Sequence, residues 1–187
     1  MDTRPADYIH HRMVRFLTAI DETREHFPKL SPFGRYPASA PYYERHGIMQ
    51  ILDSLDIGGE MYEELMQEFQ SVEQRLGRLE KEQNKVYRCR LREELSARLD
   101  IYRAAVCHAS LVSVNPDDHD LFRRDLIEIL VAELEKDHDL TSEKHLIHTL
   151  DANLLPAGMS TSSSMPDCPM QAEGYELLVR DRDRIES

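Results

Sequence analysis

The 187-residue chain contains no tryptophan, only seven glycines and three cysteines, and no Asn-Gly dipeptide. No run alternates apolar and polar residues for more than a few positions, so a fold built of β-hairpins is excluded. No stretch of eighteen uncharged apolar residues occurs, and we expect no membrane span. The cysteines lack C-x-x-C spacing, which argues against a structural zinc site and a disulfide scaffold and favours reduced thiols.

Acidic residues dominate the charge of the chain. Thirty-five acids against twenty-three bases give a net charge of -12, which argues against general binding to nucleic-acid phosphates. Hydrophobic residues make up 41% of the chain, enough to build a core. No apolar run follows the first residues, so no secretory signal peptide is expected, and we predict a cytoplasmic protein.

Apolar residues recur at helical spacing through most of the chain. The first segment carries Ile9, Met13, Phe16, Leu17 and Ile20. Further helices are predicted at about 41–55, after 116, and at about 141–153. Four prolines within 28–41 predict a loop that packs across the bundle through its aromatic side chains. We predict one helical domain over 1–155, with a Pro-rich loop at 27–41, and a flexible low-complexity tail at 156–187 with a short terminal segment.

The middle of the chain has the clearest pattern. Between Glu60 and Val112 there is no proline, and Gly77 is the only glycine. Steps of three and four mark a heptad seam formed by Tyr62, Leu65, Phe69, Val72, Leu76, Leu79 and Val86. One continuous helix would be about 80 Å long. The alternative is a hairpin turn within the polar stretch 80–85, which lacks Gly, Pro and Asp.

The seam requires a facing helix from the same chain or from a second copy. We therefore predict an all-α fold, namely a helical bundle built around a long heptad-patterned, coiled-coil-like central helix or helical hairpin. We also predict that this seam supports self-association into a homo-oligomer.

Charge is unevenly distributed along the sequence. Residues 75–92 hold seven bases and two acids, whereas residues 115–155 hold eleven acids and four bases. Five of the bases follow one another in steps of three and four, on the side of the helix facing away from the seam: Arg78, Lys81, Lys85, Arg88 and Arg92. Such a stripe is either a solvated face or a docking strip for an acidic surface. We predict that it binds a protein partner or the acidic 115–155 segment of another copy, and a nucleic-acid phosphate track is the least favoured ligand because the rest of the chain would repel it.

Chemistry-bearing motifs are sparse. His145 and His148 lie three residues apart on one helix face and could hold one metal ion. The chain has a single Glu-x-x-His, at Glu135 and His138, whereas a di-iron carboxylate bundle needs two. No P-loop and no Gly-x-Ser-x-Gly occurs. We therefore predict a protein that is not an enzyme and uses no cofactor, with a metal-binding helical bundle as the alternative.

Pro116-Asp117-Asp118-His119 resembles the Pro-x-Asp-His motif of the redox-enzyme maturation chaperones, which are all-helical cytosolic proteins. The resemblance covers four residues, and Asn115 stands where that family has a glutamate. It implies a further alternative, a maturation chaperone for a redox enzyme. The main prediction is a non-enzymatic interaction protein, that is, an adaptor, regulator or assembly subunit.

Overall fold

The structure, a computed structural model, describes residues 4–54, 59–112 and 118–154. Within these ranges it is all-α and contains no strand. The elements are α1 (Arg4–Glu25), a 3-10 turn (Phe27–Lys29), α2 (Ala40–Ser54), α3 (Gly59–Val112), α4 (Asp118–Leu134) and α5 (Thr141–Leu154). The five α-helices belong to one compact unit. The predicted all-α bundle is confirmed, while the predicted tail at 156–187 lies outside the described residues.

The first helix follows its predicted pattern. Ile9, Met13, Phe16 and Ile20 are fully buried and form the apolar face of α1. The helix ends at Glu25, ahead of the Pro-rich segment. No helix among the described residues is long and apolar enough to cross a membrane.

The Pro-rich loop packs on the second half of α3 through aromatic contacts. The ring centroids of Phe27 and Tyr87 lie 6.0 Å apart. The Arg98 guanidinium lies 5.8 Å from the centroid of the Phe33 ring and donates a hydrogen bond to the carbonyl oxygen of Pro32. The prediction that this loop packs across the bundle is confirmed.

Helix α3 is interrupted at Asn84, whose backbone has φ 30° and ψ −116°. This residue is the only non-glycine residue with positive φ among those described. It divides α3 into a first arm, residues 59–83, and a second arm, residues 85–112. The sequence left open whether this helix is continuous, and the interruption falls inside the stretch considered for a hairpin turn. Asparagine tolerates positive φ better than most residues. A turn in this segment was not favoured because the segment lacks Gly, Pro and Asp, although Asn84 itself permits one.

The second arm changes direction at Asn84. In a straight helix, Phe69 and Arg98 would lie about 44 Å apart. Phe69 packs against Phe16 of α1, with ring centroids 6.3 Å apart. Ala19, one turn further along α1, lines the same cavity of about 420 Å³ as Arg98. Phe69 and Arg98 therefore lie beside α1 at places only one helical turn and one small cavity apart. This separation is far less than 44 Å, so the two arms are not collinear.

The heptad seam faces the core of its own chain. Its five central residues are at most 4% exposed: Leu65, Phe69, Val72, Leu76 and Leu79. They belong to one cluster with residues of the second arm, including Tyr87, Leu91 and Leu95. Tyr62 and Val86, the two ends of the predicted seam, are 37% and 55% exposed. The facing helices therefore come largely from the same chain, and the seam does not need a second copy to be buried.

Two cysteines lie within the described residues. Cys89 is an exposed free thiol, as predicted. Cys107 is disulfide-bonded, so the prediction of reduced thiols is wrong for this residue. Cys168 lies outside the described residues.

Candidate functional site

Four of the five residues of the predicted basic stripe meet around the Asn84 turn. Lys81, Lys85, Arg88 and Arg92, hereafter the basic cluster, line a groove of about 580 Å³. The fifth residue, Arg78, is exposed on the first arm and does not line the groove. The turn at Asn84 changes the predicted linear strip into the rim of a concave site.

One arginine of the basic cluster, Arg88, is held in place by neighbouring elements, and Arg92 is exposed with one distant carboxylate. Arg88 Nη1 donates a hydrogen bond of 3.0 Å to the carbonyl oxygen of Glu133, and Arg88 Nε lies 3.2 Å from Asp137 Oδ2. Arg92 Nη2 lies 4.0 Å from Glu143 Oε1, at the outer limit of an ion pair. Part of the acidic 115–155 segment therefore pairs with the cluster within one chain and fixes its geometry.

The two lysines of the cluster are available to a ligand. Lys81 and Lys85 are exposed and lie on either side of Asn84. Neither makes a hydrogen bond or an ion pair with any residue that the structure describes. Two ammonium groups without a counter-charge among the described residues thus stand beside the positioned guanidinium of Arg88 and the exposed guanidinium of Arg92.

Tyr87 lines the groove and stacks on Tyr42. The rings of Tyr42 and Tyr87 have centroids 6.0 Å apart. Tyr42 Oη donates to Glu80 Oε1 over 2.6 Å, and Tyr87 Oη donates to the Ala38 carbonyl oxygen over 2.8 Å. Burial, together with nearby carboxylates, raises the pKa of both phenols well above their ordinary value. Both tyrosines therefore stay protonated as donors, and Glu80 is occupied as an acceptor.

The groove has a net positive charge. The basic cluster is opposed by the carboxylates of Glu80 and Asp137, and His138 and Cys89 complete the polar lining. The four cations outnumber the two carboxylates, which already accept from Tyr42 and pair with Arg88. The resulting excess of positive charge suits an anionic ligand. Asp137 and His138 were missed as site residues, because nothing in the sequence places residues 137–138 beside residue 88.

A second group of charged residues joins the helices inside the bundle. Arg45 of α2 contacts Glu73 of the first arm and Glu133 of α4, each over 2.7 Å. Burial acts to lower the pKa of Arg45, but hydrogen bonds and charge from the two glutamates outweigh it and the pKa is raised. This guanidinium therefore connects three helices, and we assign it a structural role.

The predicted histidine pair is exposed on α5. His145 and His148 are both solvent-accessible, and His145 Nδ1 lies 3.3 Å from Thr149 Oγ1. Glu135, of the single Glu-x-x-His, forms an ion pair with Lys144. Over the described ranges, no group of three or more His, Cys, Asp or Glu side chains could hold a metal ion. The pair thus lacks a third ligand among those residues.

The motif that resembles the maturation chaperones is only partly covered by the structure. Pro116 and Asp117 lie outside the described residues, and Asp118 and His119 open α4. The structure therefore does not test this resemblance. Comparisons with protein-family models, with curated proteins and with solved structures find no match for the chain.

Proposed function

We propose that this chain is a non-enzymatic interaction protein, acting as an adaptor, regulator or assembly subunit in the cytoplasm. Its basic cluster binds an acidic segment of a partner protein. The observation that carries the proposal is the pair of exposed ammonium groups of Lys81 and Lys85, unpartnered among the described residues, at the rim of a groove in which the Arg88 guanidinium is already positioned.

Protein carboxylates fit this groove better than a nucleic-acid backbone does. Arginine guanidinium groups match the geometry of carboxylates, and lysines add point charge. A nucleic acid would extend beyond the groove over a chain of net charge -12, which repels it. Val86, 55% exposed next to Lys85, offers an apolar contact beside the cations. The expected ligand is therefore a short acidic segment that also carries an apolar side chain.

The test is charge reversal at the two free lysines, Lys81→Glu with Lys85→Glu. The matched control is Lys29→Glu with Arg75→Glu, since these two cations are also exposed and lie outside the groove. Both double variants change the net charge equally and differ only in position. Binding of a fluorescent Glu-rich peptide containing leucine is measured by anisotropy at two salt concentrations, with circular dichroism to confirm folding.

Loss of roughly tenfold or more in affinity is expected for the groove variant, with stronger binding at low salt for the wild type. The control is expected to bind nearly as well as the wild type. Equal weakening in both variants would mean that the peptide senses only the overall charge, and the basic cluster would then be a solvated face. Tighter binding of a single-stranded oligonucleotide than of the peptide would reject a protein ligand.

Self-association is the second part of the proposed function. The central seam residues are already buried within one chain, so a second copy cannot reach them while α3 stays bent at Asn84. Assembly through the seam requires α3 to open.

A further inference from the structure

We infer that two copies of this chain exchange halves by opening the turn at Asn84. The N-terminal half comprises α1, α2 and the first arm, and the C-terminal half comprises the second arm, α4 and α5. In the exchanged dimer α3 is continuous, and each N-terminal half packs on the C-terminal half of the other copy. The inference rests on the self-association part of the proposed function and is independent of the acidic partner.

The turn that holds the halves together is short and strained. Asn84 alone departs from helical geometry inside a helix that runs from Gly59 to Val112. A φ of 30° is costly for a residue with a side chain. The flanking segments 78–83 and 85–90 contain neither glycine nor proline and favour the helical state. A strained hinge of one residue between helix-forming segments is a typical starting point for domain exchange.

The contacts between the halves can be reproduced exclusively by a second copy of the same chain. Ser39 of the N-terminal half donates to the buried carboxylate of Glu94 in the C-terminal half. Arg45 contacts Glu133 across the same boundary, and Phe27 packs against Tyr87. Each of these contacts would form between copies instead of within one, and the peptide at Asn84 is the only covalent link that changes its geometry.

The exposed Val86 gives the open form a contact that the closed form lacks. Val86 lies one heptad after Leu79, and it continues the seam only if Asn84 is helical. In the closed chain Tyr87 takes the buried place and Val86 is left 55% exposed. In the exchanged dimer the two hinge segments flank the two-fold axis, where their Val86 side chains can meet.

Charge opposes this arrangement. Exchange brings Lys81 and Lys85 of one copy towards those of the other, because they flank the hinge. Repulsion between these ammonium groups is weakened by salt. Exchange should therefore be favoured at high ionic strength, whereas the acidic-peptide binding of the closed groove is favoured at low ionic strength.

The experiment compares the full chain with two variants at the hinge, Asn84→Gly and Asn84→Ala. Glycine accepts positive φ and keeps the hairpin closed, whereas alanine favours the helix. Asn153→Ala, at an exposed helical asparagine, is the control. Each protein is unfolded and refolded over a range of concentrations and two salt levels, and the dimer fraction is read by light scattering after size separation. Non-reducing gels exclude dimers linked through a disulfide.

The association constant of the dimer is expected to rise about tenfold for Asn84→Ala and to fall about tenfold for Asn84→Gly. The control should match the wild type. An unchanged constant in both hinge variants would overturn the inference, as would a constant lowered by Asn84→Ala. If Asn84→Ala does not fold, the wild type and Asn84→Gly still decide, because the glycine variant must dimerise less.

A distance measurement separates exchange from dimerisation by another surface. Spin labels are introduced through non-canonical amino acids at the exposed positions Gln70 and Asp100, and labelled chains are diluted in unlabelled ones. The two positions lie about 45 Å apart in a continuous helix and closer together in the chain bent at Asn84. A dimer with the long distance supports exchange, and a dimer that keeps the short distance rejects it. Acidic-peptide binding, measured on the monomer, tests the groove separately.

Discussion

Ser39 donates both its backbone N–H and its hydroxyl to the carboxylate of Glu94, over 3.0 and 2.5 Å. Ser39 immediately precedes α2, and Glu94 lies on the second arm of α3. Arg98 donates to the same carboxylate over 2.7 Å. The Glu94 side chain is 1% exposed and that of Arg98 is 11% exposed. One buried carboxylate therefore fixes the start of α2 against the second arm.

Glu94→Ala should destabilise the fold by about 3–5 kcal/mol, because it leaves the buried Ser39 donors without an acceptor and the Arg98 guanidinium without its carboxylate partner. Urea unfolding followed by circular dichroism measures the change. Glu93→Ala is the control, since Glu93 is an exposed neighbour that pairs with Arg90 at the surface. It should change stability by about 0.5 kcal/mol or less. A loss of similar size in both variants would contradict the buried link.

Two helical glycines should respond in opposite ways to alanine. A Cβ at Gly77 meets nothing within 4 Å, so Gly77→Ala should stabilise the chain by about 0.5–1 kcal/mol. A Cβ at Gly47 would overlap the guanidinium of Arg12, which is 11% exposed and lies 3.3 Å from Glu44. Displacing that group should cost about 1–3 kcal/mol. Thermal unfolding of the two variants gives the sign directly, and a stabilised Gly47→Ala would refute the packing of Arg12.

Leu79→Ala should lower the free energy of unfolding of a single chain by about 2–5 kcal/mol, because Leu79 is fully buried. Val86→Ala, at the exposed end of the same seam, should change it by about 0.5 kcal/mol or less. Both variants are compared by urea unfolding at a concentration where the wild type is monomeric. If Leu79→Ala left the monomer as stable as the wild type, the seam would not be an internal core.

The carboxylate of Asp151 should contribute stability that depends on pH. Burial acts to raise the pKa of Asp151, but hydrogen bonds from Arg124 and Tyr102, at 2.9 and 2.6 Å, outweigh it and the pKa is lowered. A carboxyl with a lowered pKa in the folded state stabilises fully above its ordinary value of 3.8 and loses this effect as the pH falls through the folded value.

Asp151→Asn should therefore lower stability by about 1 kcal/mol at neutral pH, a modest figure because the group is partly exposed. The difference from the wild type should shrink in acid below the ordinary carboxyl pKa. Asp100→Asn, at an exposed position without such donors, is the control. A difference that stayed constant down to strong acid would show that the Asp151 charge is not responsible.

Local pattern was enough to predict the elements of the fold. The period of the apolar residues located α1, and four prolines located the loop that follows it, because both signals depend on neighbours in sequence. The heptad steps also identified residues of the first arm that are buried. A turn within 80–85 was predicted only as the alternative, since helical propensity is high on both sides of Asn84 and only this one residue departs from helical geometry.

The candidate site could be predicted only in part. Charge periodicity identified Lys81, Lys85, Arg88 and Arg92 as one surface, because helical spacing is a local property. It could not show that Arg88 meets Asp137, or that His138 lines the same groove. Those contacts join residues about fifty positions apart, and their formation depends on how α4 packs on the second arm.

The sequence by itself determined that the described chain is helical, which faces of α1 and of the first arm are apolar, and where cations are concentrated. These properties follow from spacing and composition, to which each residue contributes independently of the fold. The tertiary structure alone decided that α3 bends at Asn84, that its seam is buried within the chain, and that Glu94 and Arg45 connect separate helices. The physical reason is that burial and ion pairing depend on the packing of the whole bundle, in which one strained residue is offset by many distant contacts.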